Sequence, residues 1–185
     1  MKTNLAAVAL LIGFATVISG CASPARVGNM TATTAPSQRI AESSLRDNIA
    51  IKDVTGGQET NPMWKSDVGT PEFQQALEAS LRTAGLLAST NEGRYMLSTR
   101  LENLDQPVIG LDFTVTASVS YMVTERATGK EVYSRKIAVP FTAKFGDALM
   151  GVERLKLANE GAVKVNITQF IQDLYGLHIR NLSLN

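Results

Sequence analysis

Cysteine and histidine each occur once in this sequence, as Cys21 and His178. Two such residues cannot supply a Cys/His metal cluster, and a Ser-His-acid triad would have to be built on His178. Gly129-Lys130 lacks both the earlier glycine and the following Ser or Thr of a phosphate loop, so it reads as a turn. Glu153, Arg154 and Glu160 fall on a helical pattern and read as a solvated face. Asp105 and Asp112 lie across a loop and do not define the spacing that a two-carboxylate mechanism requires. No catalytic residue, metal ligand or cofactor is expected, and the chain is not expected to be an enzyme.

Cys21 is the exception, and its chemistry would be acylation. A single Lys2 leads into an apolar run over residues 5–18, which closes in Ile18-Ser19-Gly20-Cys21. A basic start, a short apolar core and small residues before a cut are the parts of a secretory signal. The run is too short to span a bilayer, which takes roughly 20 apolar residues. The ending resembles the lipobox of bacterial lipoproteins, in which the Cys is lipidated and becomes the N-terminus. That resemblance implies a signal peptide over 1–20 and acyl chains on Cys21. An exported lone thiol would otherwise have no partner. Two or three such chains make a permanent anchor, at about 0.8 kcal/mol per buried methylene. Ala22 follows Cys21 where an Asp would retain such proteins in the inner membrane, so the outer membrane is the expected location.

Without Lys2 the mature chain has one fewer than the 18 Lys+Arg of the whole sequence, against 17 Asp+Glu. Such balance gives no basic stripe for nucleic acid. Residues 22–44 are rich in Thr, Ser, Ala and Pro and poor in large apolar side chains. With little surface to bury against their ordering entropy, residues 21–44 read as a lipidated, flexible tether that lets the domain stand off the membrane. Residues 45–185 read as one domain.

Two loops of that domain carry candidates for partner contact, Met63 and Trp64 in the first and Phe145 in the second; the alternative for Trp64 is that it folds back to cap the edge of the core. The elements that would position them follow from periodicity. Residues 45–54 alternate as a strand, with Leu45, Ile49, Ile51 and Asp53 on one face, and Gly56-Gly57 ends it. Thr70 as N-cap and Pro71 in the first turn open a helix that carries Phe73, Ala76, Leu77 and Leu81 on one face, and Gly85 stops it. A strand follows with Tyr95, Leu97, Thr99 and Leu101 on its inner row. In the next, Leu111 to Val123 alternate with polar residues; a turn at 127–130 then leads to a row of Tyr133, Ile137, Val139 and Phe141 interrupted by Arg135. Pro140 implies that this last strand lies at an edge or frays near its end. A final helix over 149–174 has a wide apolar stripe, with Glu160 and Lys164 as an i,i+4 pair on its solvent side.

The expected architecture is therefore α+β: a four-stranded mixed sheet with two helices on one face, in the order β-α-β-β-β-α. The polar outer row Thr114, Thr116, Ser118, Ser120 leaves the other face open. In layout the chain resembles small outer-membrane lipoproteins. Those of lipopolysaccharide assembly come closest, with a stretch over 73–87 similar to their first helix and its exit; the auxiliary lipoproteins of ABC-type lipid transporters and lipoproteins that activate peptidoglycan synthases are comparable. The resemblance implies a non-enzymatic accessory or assembly role in the envelope, anchored to the membrane through Cys21 and exerted on a protein partner. The alternative is a lipid- or glycan-binding module.

Overall fold

The computed structural model describes residues 23–33, 44–61 and 66–182, with side chains through 177. In chain order its elements are α1 (Val27–Met30), β1 (Ile49–Gly56), α2 (Thr70–Thr83), β2 (Tyr95–Asp105), β3 (Phe113–Glu125), β4 (Glu131–Ala143), a 3-10 turn (Phe145–Asp147) and α3 (Gly151–Leu182). The strands form one sheet in the order β1-β2-β3-β4. β1 and β2 are parallel and the remaining pairs antiparallel, so the expected α+β order holds, with α1 as an addition.

The alternation of β3 translates directly into burial. Val115, Ala117, Val119, Tyr121 and Val123 are buried under the helices, while Thr114 and Thr142 share a 2.8 Å hydrogen bond on the open face. Phe73, Leu77 and Leu81 of α2 and Ile167, Phe170 and Leu174 of α3 close over this row. Each fully buried side chain of this size contributes about 1.5–3 kcal/mol. The Tyr121 ring stacks on Phe170 at 4.1 Å, and its hydroxyl donates to Asn166 Oδ1. Asn166 Nδ2 in turn donates to the Ala117 and Ile137 carbonyls, so no polar group of this buried side chain is left unmade. Burial pushes the Tyr121 hydroxyl well above its ordinary pKa and keeps it a donor.

Local signals place α2 well. Its C-terminus is a Schellman motif: Gly85 takes φ +69°, Leu86 N donates to Leu81 O and Gly85 N to Arg82 O. Its N-cap is Gly69, one residue before the Thr70 expected. The Thr70 hydroxyl instead donates to the Gly56 carbonyl and ties the helix start to the end of β1. Gly56 itself has φ +77°, and a Cβ there would strike the Leu101 carbonyl. Gly161 is where α3 comes closest to β4, its Cα facing the Phe141 ring with no room for a side chain.

Several expectations are corrected. A register shift between Ile51 and Asp53 makes a bulge at Lys52. It turns Asp53 to the open face, where it accepts from Ser98, and turns Val54 inward. Leu111 lies outside β3 and is exposed, because β3 begins only at Phe113. α3 begins at Gly151, after Leu149, and continues past Leu174 to Leu182; the apolar stripe fades there, but Tyr175 still donates to the Ala84 carbonyl. Arg135, odd in an inward row, reaches Asp173 of α3 at 2.7 Å. Pro140 does sit on an edge strand, β4.

The largest correction concerns residues 23–33. Read from the sequence as part of a flexible tether, they lie over α2 and α3 as part of the domain. Ala25, Met30 and Ala32 are buried, and Ala32 N donates to Ser80 Oγ at 2.8 Å. Two alanines and one methionine suffice because the segment packs against both helices, α2 and α3.

Candidate interaction surface

Glu160, expected in solvent, is 1% exposed. Its carboxylate accepts from Arg26 N at 2.7 Å, from Arg26 Nε and Nη2 at 3.0 and 3.1 Å, and from Asn29 Nδ2 at 2.6 Å. Arg26 also pairs with Glu153 at 3.0 Å. A buried carboxylate with this many donors is satisfied, and removing them would strand its charge. The hydrogen bonds Arg26 donates to Glu160, against the opposing effect of burial, raise the Arg26 pKa above its ordinary value. This clamp fixes the N-terminal segment to α3.

Upstream of the clamp the segment runs to the end of the sheet where β2 and β4 finish and β3 starts. There Lys156 Nζ donates to Ser23 Oγ at 2.6 Å. Next to it, Gln106 Nε2 faces Ser66 O, Asp67 Oδ1 and Asn159 Oδ1 at 2.9–3.1 Å, and Asn159 Nδ2 donates to Ser66 O. This polar knot ties the loop before α2, the β2–β3 loop and α3 together at one end of the molecule.

The β2–β3 loop and the β4–α3 connection meet at the same end. Asp112 accepts from Phe145 N at 2.9 Å and from Lys144 Nζ at 3.0 Å. The backbone hydrogen bond from Phe145, then the Lys144 ammonium, holds the Asp112 carboxyl below the usual carboxylate range. Arg154 is buried with its guanidinium over the rings of Phe113 and Phe145, at 5.0 and 5.1 Å, and donates to the Ala148 carbonyl. The bases of the two loops are thus tied together. Their outer tips are apolar: Val108 is 95% exposed, Ile109 89%, Leu149 91%, with Leu111, Phe145 and Met150 more than half-way to full exposure or at it. Among the described residues the other exposed large apolar side chain is Met122, on the open sheet face.

Of the residues singled out from sequence, Phe145 is therefore placed on an exposed loop, half-buried against Arg154. Cys21, Met63 and Trp64 lie outside the described residues. The other five tip residues were missed. A signal for three of them lies in Val108-Ile109-Gly110-Leu111, an apolar run directly after a proline in which Leu111 also fits the alternation of the following strand; Leu149 and Met150 fit the start of the last helix.

Elsewhere, the open face carries Asp53, Thr55, Ser98, Arg100, Ser120 and Lys136. A groove of about 600 Å³ runs between α3 and the β4 edge, lined by Phe141, Ala143, Leu157, Gly161 and Val165 and closed at one side by Gly28 and Asn29. Among the described residues no group of acidic, Cys or His side chains is placed to hold a metal, and no helix is long and apolar enough to cross a membrane.

No protein-family model matches the chain, and no curated protein sequence matches it. Similarity appears in solved structures. The Xanthomonas campestris protein XCC0632, of the family DUF330, superposes with a TM-score of 0.63 over 87% of this chain and 98% of its own, at 11% identity. A Caulobacter crescentus structure described as a lipoprotein gives 0.49 over 72% and 90%, at 15% identity. A minor lipoprotein of Acinetobacter baumannii gives 0.45 over 71% and 93%, at 12% identity. At such identities the likeness to XCC0632 is one of fold.

Proposed function

We propose that this protein is a non-enzymatic accessory or assembly lipoprotein of the bacterial envelope, held by acyl chains on Cys21 at the periplasmic face of the outer membrane and acting on a protein partner. The lipobox carries the anchor. The observation that carries the accessory role is the open sheet face. It spans four strands, no described element covers it, and it mixes Thr and Ser hydroxyls with the opposite charges of Asp53, Arg100, Glu102 and Lys136. Such a surface suits a protein interface, whose rim is polar and hydrogen-bonded, better than an acyl chain.

The groove between α3 and β4 supports a second reading, a lipid- or glycan-binding module. Its volume falls within the range of small-molecule sites, and its apolar side chains would suit a chain-like ligand.

Photocrosslinkers at Ser120 and Lys136 on the open face, and at Lys164 in the groove, separate these readings in intact cells. The accessory reading requires one stoichiometric envelope protein captured from the open face. Capture of lipid or glycan from Lys164, with no protein at Ser120 or Lys136, would replace it by the binding module.

A further inference from the structure

We infer that the loop end of the domain docks into the lipid surface that holds the anchor, so that Val108, Ile109, Leu111, Phe145, Leu149 and Met150 enter the boundary between headgroups and acyl chains. The inference rests on the proposed lipidation of Cys21 and deepens it: the anchor is not a leash, and the domain takes a set attitude on the membrane.

Three observations converge. The first is the tips themselves: among the described residues, every exposed large apolar side chain except Met122 projects from these two loops. Side chains almost wholly in water at Val108, Ile109 and Leu149 are an unusual concentration for a surface that stays in solvent. The second is bracing. The Asp112 bonds to Lys144 and Phe145, and the burial of Arg154 between Phe113 and Phe145, tie the bases of the two loops together before contact, so less of the surface remains to be ordered on insertion.

The third names the occupant. Ser23 is bound to Lys156 and Ser66 at this same end, and the clamp on Glu160 keeps the chain there. Cys21 is two residues away, within about 7 Å of chain. Acyl chains on Cys21 therefore bring a bilayer surface to the tips and to no other part of the domain. A long tether would leave the facing surface free; one of two residues does not. The strands then stand along the membrane normal, and the open sheet face looks sideways along the membrane, toward a neighbour in the same plane.

The test uses the mature, natively lipidated chain in vesicles of phosphatidylethanolamine and phosphatidylglycerol. Ile109→Cys, Leu149→Cys and, as a control at the opposite end, Lys130→Cys each carry one introduced cysteine, left as the sole reactive thiol by the thioether at Cys21, and this is labelled with bimane. With acyl-brominated lipid, fluorescence at 109 and 149 is expected to fall at least about twofold, as for side chains at the acyl boundary, and fluorescence at 130 to stay unchanged. Mass spectrometry of the N-terminal peptide reads the anchor separately. Lipid on Cys21 with no quenching at 109 and 149 overturns the docking and leaves the anchor standing. Protection of 109 and 149 by a co-purifying protein in place of lipid overturns it too. A Cys21 without lipid removes the premise and overturns both.

Discussion

At the hairpin end of the sheet, Arg94 pairs with Glu125 at 2.8 Å, Arg126 donates to the Gly93 and Asn91 carbonyls, and Thr128 donates to Glu125. Nothing apolar and large is exposed there among the described residues. Toward the loop end, Glu160 is buried under Arg26 and Arg154 lies between two rings, and large apolar side chains point out beside the exposed Asp112–Lys144 pair. One sheet thus ends in water on one side and presents oil on the other. The difference teaches that the same pair of residue types does two jobs. Arg94–Glu125 solvates an end of the fold, whereas Arg26–Glu160 joins positions 134 residues apart and decides where the chain leaves the domain.

The first way to break that contrast is Arg26→Ala. It strips the guanidinium from a carboxylate at 1% exposure, leaving only the backbone N–H of position 26 and Asn29 as donors, and should lower unfolding free energy by about 3 kcal/mol, read from denaturant midpoints. Hydrogen exchange of residues 25–32 should rise well before the sheet's. Equal protection in the variant would mean that burial of Met30, not the ion pair, holds the segment.

A smaller effect belongs to Asp173. Burial opposes its ionisation, but bonds from Tyr133, Gln169 and Arg135 outweigh that and hold its pKa below the ordinary carboxylate value. A carboxyl lowered by folding adds stability above the unfolded value of about 3.9, and loses it as pH falls through the folded one. Asp173→Asn should therefore be less stable than wild type at pH 7, with the gap closing below about pH 4 as the unfolded carboxyl protonates. A gap constant down to the lowest pH at which the protein is folded would assign the effect to packing alone. The smallest effect is Arg94→Ala, where solvent screens an exposed pair and the denaturant midpoint should barely move; a loss as large as that of Arg26→Ala in the same series would erase the distinction between the two ends.

Much of this was legible in the sequence because it is local. Alternation in β3 and the proline and glycine flanking α2 are written within a few residues of the structure they cause. The bulges at Lys52 and after Leu101 were not, since both are matters of register with a neighbouring strand. The clamp was hidden for the same reason in stronger form. Arg26 sits in a segment of tether-like composition, and Glu160 has an i,i+4 partner that explains it locally, so neither residue signals the other. The apolar tips were visible as residue types, but whether Leu111 and Leu149 begin an element or end a loop depends on where β3 and α3 start pairing.

The most direct measurement of the account is oxygen accessibility of spin labels at 109 and at 128 on the lipidated protein in vesicles. A membrane-docked loop end predicts oxygen-rich, water-poor surroundings at 109 and the reverse at 128. Equal, water-like accessibility at both positions would contradict it.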